Sequence, residues 1–307
     1  MRRLVERHPV LVFFLLALAI SWAGWIPYAA ARSGRTAAQI PAEIIWAAEF
    51  GPTLAALILT GWLAGLPAVG RLLRRLVAWR VAPRWYLLAL LITPALAALV
   101  ALAMPLLGRG PVDPTLLGAW AERFRARTAA FTPSAGLISG LVDLMGTSPA
   151  RTLAVFALLA ITNGGISEEV GWRGFAQPRL QAKHSGALAA VGVGVLWGLW
   201  HTGTGFWQML LTGAPAEAAT FAVRYLGQYL LLVVPLAVIY AVLWNGTGGS
   251  LLLCILLHAS YNMTITVVTS AWPAFPIGLM IGLLWVVAVA LAIGFRTTLL
   301  ARREEPA

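Results

Sequence analysis

Charge is scarce in this chain: 11% of its 307 residues are charged, against 60% hydrophobic residues. With a mean hydropathy of +0.83, that shortage excludes an ordinary soluble globular domain. Cysteine is scarcer still, since Cys254 stands alone in an apolar run. One cysteine excludes an internal disulfide and any cysteine-based metal cluster, so helix packing must hold the chain together. Lysine is almost missing as well, Lys183 being the only one among 22 basic residues, while Ala, Leu, Gly and Arg abound as in a GC-rich bacterial genome. The net charge of +11 would suggest nucleic acid in a soluble protein. Here the basic residues lie between apolar runs, where anionic lipid and topology account for them, and no nucleic-acid partner is expected.

What the chain has instead is apolar length. Roughly 20 apolar residues cross a bilayer as a helix, and only helices or closed barrels satisfy their backbone there. The runs predict an all-α polytopic membrane protein, one integral-membrane domain over 1–307 in contact with the lipid bilayer. About eight spans are expected, near 10–31, 42–63, 85–107, 150–177, 186–207, 225–244, 250–270 and 277–295. The first reads as an uncleaved span rather than a signal peptide, because its apolar stretch is too long for a signal core. Most arginines outside the 108–149 loop gather on the side of the N-terminus, which predicts that both termini are cytoplasmic. The basic amphipathic turn Arg71-Leu72-Leu73-Arg74-Arg75 is expected on that surface. Within the 108–149 loop the apolar piece 136–146 is too short to cross and reads as re-entrant or interfacial.

Three clusters then place polar or titratable groups inside apolar spans. They are Glu168-Glu169 with Arg173, His201 in Trp197-Gly-Leu-Trp-His, and His258-Ala-Ser-Tyr-Asn262. An ionisable side chain at bilayer depth costs about 2.5 kcal/mol or more, and it usually faces a protein interior or a cavity with a partner. Arg173, one helical turn after Glu169, is the expected partner. At about 1.5 Å per residue, Glu168 falls about 15 Å, His258 about 12 Å and His201 about 22 Å from the inner surface, one broad layer near mid-membrane. His258 and Asn262 share a helix face and can address one bound atom.

Such a set supports hydrolysis: a carboxylate takes a proton from water, a histidine orients that water, and His and Asn donors stabilise an oxyanion. Metal chemistry is the rival, because Glu168, His201 and His258 are one carboxylate and two imidazoles, a set that can hold zinc with a water site open. The His-Glu-x-x-His spacing of zinc proteases is absent. Each residue also has a bland reading: an acid pair with a downstream arginine is often a solvated salt bridge, and a membrane histidine is often an interhelical hydrogen bond. Ser167 and Asn163 either line the cavity or only bond to backbone. His8 and His184 read as loop residues, and Glu49 as a supporting residue deeper than Glu43. A transporter would instead use Glu49 or Asp143.

The three ordered motifs, Glu168-Glu169-Val-Gly-Trp-Arg173, Trp197-x-x-x-His201 and His258-x-x-x-Asn262, resemble those of the CPBP family of intramembrane proteases. That family is also called the Abi or CAAX-protease family and includes type II CAAX prenyl endopeptidases. The resemblance extends to Ser21-Trp22-Ala-Gly-Trp25-Ile-Pro27 and to Phe50-Gly51-Pro52, with the motif-bearing core at about 135–270. One departure is Trp197, where the family often has Phe. The resemblance implies an eight-helix fold with a cavity open to the cytoplasmic side and a membrane-associated peptide or protein as substrate. It further implies Glu168 and His201 as activators of water, His258 and Asn262 as the oxyanion site, and Glu169 and Arg173 as the supporting pair. The family has been described both as metalloproteases and as metal-free glutamate proteases; the second is favoured here, with no cofactor expected and zinc as the alternative. A non-catalytic immunity or signalling scaffold that keeps the motifs for structure is the reading from another class.

Overall fold

Each membrane helix needs a start signal as well as apolar length, and proline or serine supplies several of them. The computed structural model describes residues 2–38, 40–41, 43–108, 120–126, 137–201, 203–211, 215–272 and 274–300, and every regular element among them is helical. Helices α1 (Pro9–Arg32), α2 (Gly51–Arg74) and α3 (Pro83–Ala103) each carry proline in the first turn, where its fixed φ suits the helix and its missing N–H costs nothing. Ser148 caps α4 (Pro149–Ala160), its side chain accepting the Arg151 N–H at 3.4 Å. Further on lie α5 (Ser167–Gly171), α6 (Gln177–Lys183), α7 (Gly186–His201), α8 (Gly203–Leu211) and α9 (Pro215–Gly246). Ser250 caps α10 (Leu251–Ala271), and α11 (Ile277–Gly294) follows.

Seven helical stretches among the described residues are long and apolar enough to cross a membrane, and the 16-residue α7 is a shorter apolar helix beside them. The protein is an all-α, multi-pass membrane protein. Two expected spans are built differently from the sequence reading. The second is the short helix Glu43–Ala48 followed by α2, which bends at Gly65 (φ 76°, ψ 175°) where the apolar span gives way to the basic turn ending at Arg74. The fifth, expected over 186–207, ends at His201, and its remainder folds back as α8 against α1. Trp207 meets Trp22 edge-on at 5.3 Å, and the Arg35 side chain donates to the Leu211 carbonyl at 2.8 Å, which holds α8 in that place. The apolar piece of the 108–149 loop contains the nine-residue helix Leu137–Met145; much of that loop and residues 301–307, with Arg302 and Arg303, lie outside the described residues.

Helix packing carries the core. α7 lies along α9, α10 along α3, and α1 along α2, with Trp172, Trp200, Phe13 and Phe175 fully enclosed where these pairs meet. Phe13 stacks on Phe175 at 5.1 Å and meets Trp172 edge-on at 5.4 Å, so α1 is pinned directly onto the segment that follows the acid pair.

Candidate active site

The acid pair does not ride on a continuous helix. α4 gives way to a wide π-helical turn over Ile161–Ile166, in which Asn163 (φ −101°, ψ 111°) and Gly164 (φ 100°, ψ −63°) leave the helical range. Irregular backbone at membrane depth is tolerated only inside protein or beside a cavity, and π-turns gather at functional sites. The break is tied down on both sides. The Gly164 N–H donates to Ser167 Oγ at 2.7 Å, and Thr53 on α2 donates to the Ile166 carbonyl at 2.7 Å. A second wide turn over Trp172–Ala176 closes the short helix α5, so the glutamates occupy a helical turn and a half between two irregular ones. Gly171 permits that segment to lie against α2, because a Cβ there would fall 2.6 Å from the Pro52 carbonyl oxygen.

Glu169 is fully buried, and Arg173 Nη1 donates to its Oε1 at 3.0 Å. The same Oε1 receives His258 Nδ1 at 2.7 Å, so one carboxylate oxygen joins a guanidinium on its own segment to an imidazole on α10. The sequence reading paired Glu169 with Arg173 alone and grouped His258 with Glu168. The break at Asn163 and Gly164 redirects the segment so that both glutamates address α10. Arg173 makes no further hydrogen bond through Nε or Nη2 to the described residues; its guanidinium instead lies 3.8 Å from the Tyr240 ring centre and 4.5 Å from that of Trp197.

Glu168 faces the other way around His258. Its Oε1 lies 3.9 Å from His258 Nε2, and its Oε2 accepts the Trp197 indole N–H at 2.5 Å. Because 3.9 Å exceeds a direct hydrogen bond, these two groups are spaced to act on a third. Trp197 is the hub: its ring centre is 5.6 Å from that of His201 and 5.7 Å from that of His258. His201 joins the cluster through that indole and through a stacked contact with Tyr229 at 4.9 Å, rather than by a bond to either glutamate. Its Nδ1 lies 2.9 Å from the Trp197 carbonyl, which can only accept, so the proton sits on Nδ1 and Nε2 keeps its lone pair.

Asn262 enters beside His258. A Cβ built on Gly164 would lie 2.7 Å from Asn262 Nδ2 and 3.0 Å from His258 Nε2, so both groups converge on the bare Cα of the break. Ser167 serves the backbone, and Asn163 Oδ1 is buried without a hydrogen-bond partner among the described residues. Glu49, on the approach to α2, is near enough to Glu168 for their charges to interact. Asp143, His8 and His184 are exposed. Trp197, Tyr229, Tyr240 and Gly164 had no chemical role in the sequence reading beyond Trp197 as a motif aromatic. The signals were present in two of them: Trp197 lies one turn before His201, and glycine recurs around the acid pair.

With an ionised Glu168 and Glu169, a guanidinium at Arg173 and a protonated His258, the buried cluster would carry no net charge. Buried charges persist when each is paired and hydrogen-bonded, and this set is arranged that way. As a zinc site it is incomplete: both imidazoles engage Nδ1 and leave Nε2 open, as zinc-bound histidines do, yet no group of three His, Cys, Asp or Glu side chains converges among the described residues.

Residues 150–264 match the family described as Type II CAAX prenyl endopeptidase Rce1-like. The matched stretch contains Glu168, Glu169, Arg173, His201, His258 and Asn262, and it runs from α4 into α10. No curated protein matches the chain. At the level of the family, the match supports a membrane-embedded protease, a hydrolase of the CAAX type with a membrane-associated peptide substrate.

Proposed function

We propose that this chain, which carries the Rce1-like CAAX endopeptidase pattern over residues 150–264, is an intramembrane endopeptidase in which Glu168 activates water. The observation that carries the reading is the 3.9 Å gap between Glu168 Oε1 and His258 Nε2, with Asn262 alongside. A water beside that gap gives a proton to Glu168 while its oxygen adds to the scissile carbonyl carbon. His201, neutral with Nε2 as acceptor, holds the second hydrogen of that water. The oxyanion formed at the carbonyl takes hydrogen bonds from Asn262 Nδ2 and from His258 Nε2, the latter as an imidazolium balanced by a carboxylate on each side. The C–N bond then breaks as Glu168 passes its proton to the leaving nitrogen.

Glu169 and Arg173 act behind this set. Glu169 fixes the His258 ring through Nδ1, and Arg173, held between Tyr240 and Trp197, fixes Glu169. The substrate is a membrane-associated peptide or protein, cut near the cytoplasmic surface of a bacterial cell membrane, with both termini of the enzyme on that side. Reconstituted protein incubated with CAAX-type and signal-like membrane peptides tests this by mass spectrometry of the products. Cleavage should vanish in Glu168→Gln and His258→Ala at unchanged protein level. A zinc-dependent form of the same reaction predicts that chelation abolishes cleavage and zinc restores it. A non-catalytic scaffold predicts no products from any variant and an unchanged cellular phenotype in Glu168→Gln.

A further inference from the structure

A second concavity lies away from the glutamates. Between α3 and the C-terminal half of α10 is a cavity of about 770 Å³. Pro94, Ala97 and Ala101 form one wall, and Val267, Ala271 and Trp272 the other. Small side chains on α3 create the space: a helix of alanines and a proline cannot fill the distance to α10 as leucines would. The lining is almost wholly apolar, and exposed Leu102 at its lip shows that it opens sideways, toward the medium around the helices. For membrane spans that medium is hydrocarbon.

Hydrocarbon alone would gain little by entering, since lipid tails are as apolar as the walls. A resident ligand needs a second anchor, and one lies at the rim. Arg123, itself exposed, donates through Nη1 to the carbonyls of Ser270 at 3.2 Å and Ala271 at 2.9 Å. Ala271 also lines the cavity, so a guanidinium is held at the end of α10 where the apolar space meets the membrane surface. One hand of that guanidinium is committed to backbone, which fixes its position, while its charge stays open to the rim. An apolar slot inside the bilayer with a fixed cation at its mouth has the chemistry of an anionic amphiphile. The volume falls within the roughly 300–1,000 Å³ of ordinary ligand sites, enough for a lipid chain.

We propose that this slot is a binding site for an anionic phospholipid, its acyl chain between α3 and α10 and its phosphate at Arg123. The site lies in the leaflet opposite the basic turn that ends at Arg74. It also reaches the catalytic helix: Met263 and Thr264, which line its inner end, directly follow Asn262. Thr93 and Ser260, joined at 3.0 Å, tie the same two helices together just inside the cavity. Occupancy therefore stiffens the part of α10 that carries His258 and Asn262.

The test uses the full chain in nanodiscs of phosphatidylcholine with a minor fraction of phosphatidylglycerol, released into the gas phase for native mass spectrometry. Wild-type protein should retain phosphatidylglycerol in preference to phosphatidylcholine. Val267→Phe and Ala101→Trp, which fill the slot from opposite walls, should each lose that retention, and Arg123→Gln should reduce the preference about tenfold, the size of one charge-assisted contact. Monodisperse elution identifies which slot-filling variant is folded, and either one suffices. Equal retention of the two lipids by wild-type protein, or undiminished retention in a folded slot-filling variant, would overturn the assignment. None of these substitutions touches the glutamates or histidines, so the result stands apart from the protease reading.

Discussion

Replacing Glu169 by Gln separates the two glutamates more sharply than any other single change. The substitution keeps the shape of the side chain but removes the negative charge that faces both Arg173 and His258. Arg173 is 1% exposed and Glu169 0%, so water cannot take over the lost partner. Breaking a buried ion pair by removing one member costs about 3–5 kcal/mol, because the other charge is left uncompensated. At about 1.4 kcal/mol per tenfold, that is a loss of roughly a hundredfold to several thousandfold in the folding equilibrium. Glu168→Gln leaves the acceptor for the Trp197 indole in place, and its cost should stay within about 1 kcal/mol. The chain carries its own reporter: Cys254, the sole cysteine, is 0% exposed, so its reaction with a maleimide dye marks unfolding in detergent. Glu169→Gln should expose Cys254 at clearly lower denaturant or temperature than wild type, and Glu168→Gln should follow wild type. Adding Arg173→Met to Glu169→Gln should recover part of the loss, since the orphaned charge is removed. Identical unfolding of Glu169→Gln and wild type, or an equal loss in Glu168→Gln, would refute the division between brace and base.

Four further expectations concern the same cluster. Gly164→Ala places a Cβ 2.7 Å from Asn262 Nδ2 at a φ of 100°, so it should cost roughly 1–3 kcal/mol and abolish cleavage, read by the same dye and by product formation. Trp197→Phe keeps an aromatic ring between the imidazoles but removes the donor to Glu168; the protein should stay folded, within about 1.5 kcal/mol of wild type, while its turnover falls. Tyr229→Phe should preserve the stack on His201 and the turnover, whereas Tyr229→Leu should lower turnover without unfolding the chain. Chelation of purified protein should leave cleavage intact; loss of activity that zinc restores would move Glu168, His201 and His258 into the role of ligands.

Much of this architecture can be read from apolar length and periodicity, because a bilayer permits few alternatives to a helix. Spacing also placed Arg173 one turn from Glu169, and His258 and Asn262 on one face. Contacts across the break were harder to foresee. Asn163 and Gly164 turn the chain inside the membrane, and no local propensity told how far α5 would rotate relative to α10; the Glu169 to His258 bond follows from that rotation. The end of α7 was hidden for a similar reason: the sequence stays apolar from His201 into Phe206 and Trp207, while tertiary packing on Trp22 draws the second half onto α1. Trp197 looked like a generic membrane aromatic, and only the meeting of α5, α7 and α10 puts its indole N–H on Glu168. The cavity beside α3 reflects small residues opposite α10, a match between distant segments that periodicity within one helix does not reveal.

Transfer of water oxygen to a new peptide carboxyl end is the measurement closest to the central claim. Wild-type and Glu168→Gln protein are reconstituted separately with membrane peptides in ¹⁸O-labelled water, and the products are sequenced by mass spectrometry. The account predicts new carboxyl termini carrying the label with wild-type protein and none with Glu168→Gln at equal folding. Labelled termini in the same amounts from both proteins would contradict it.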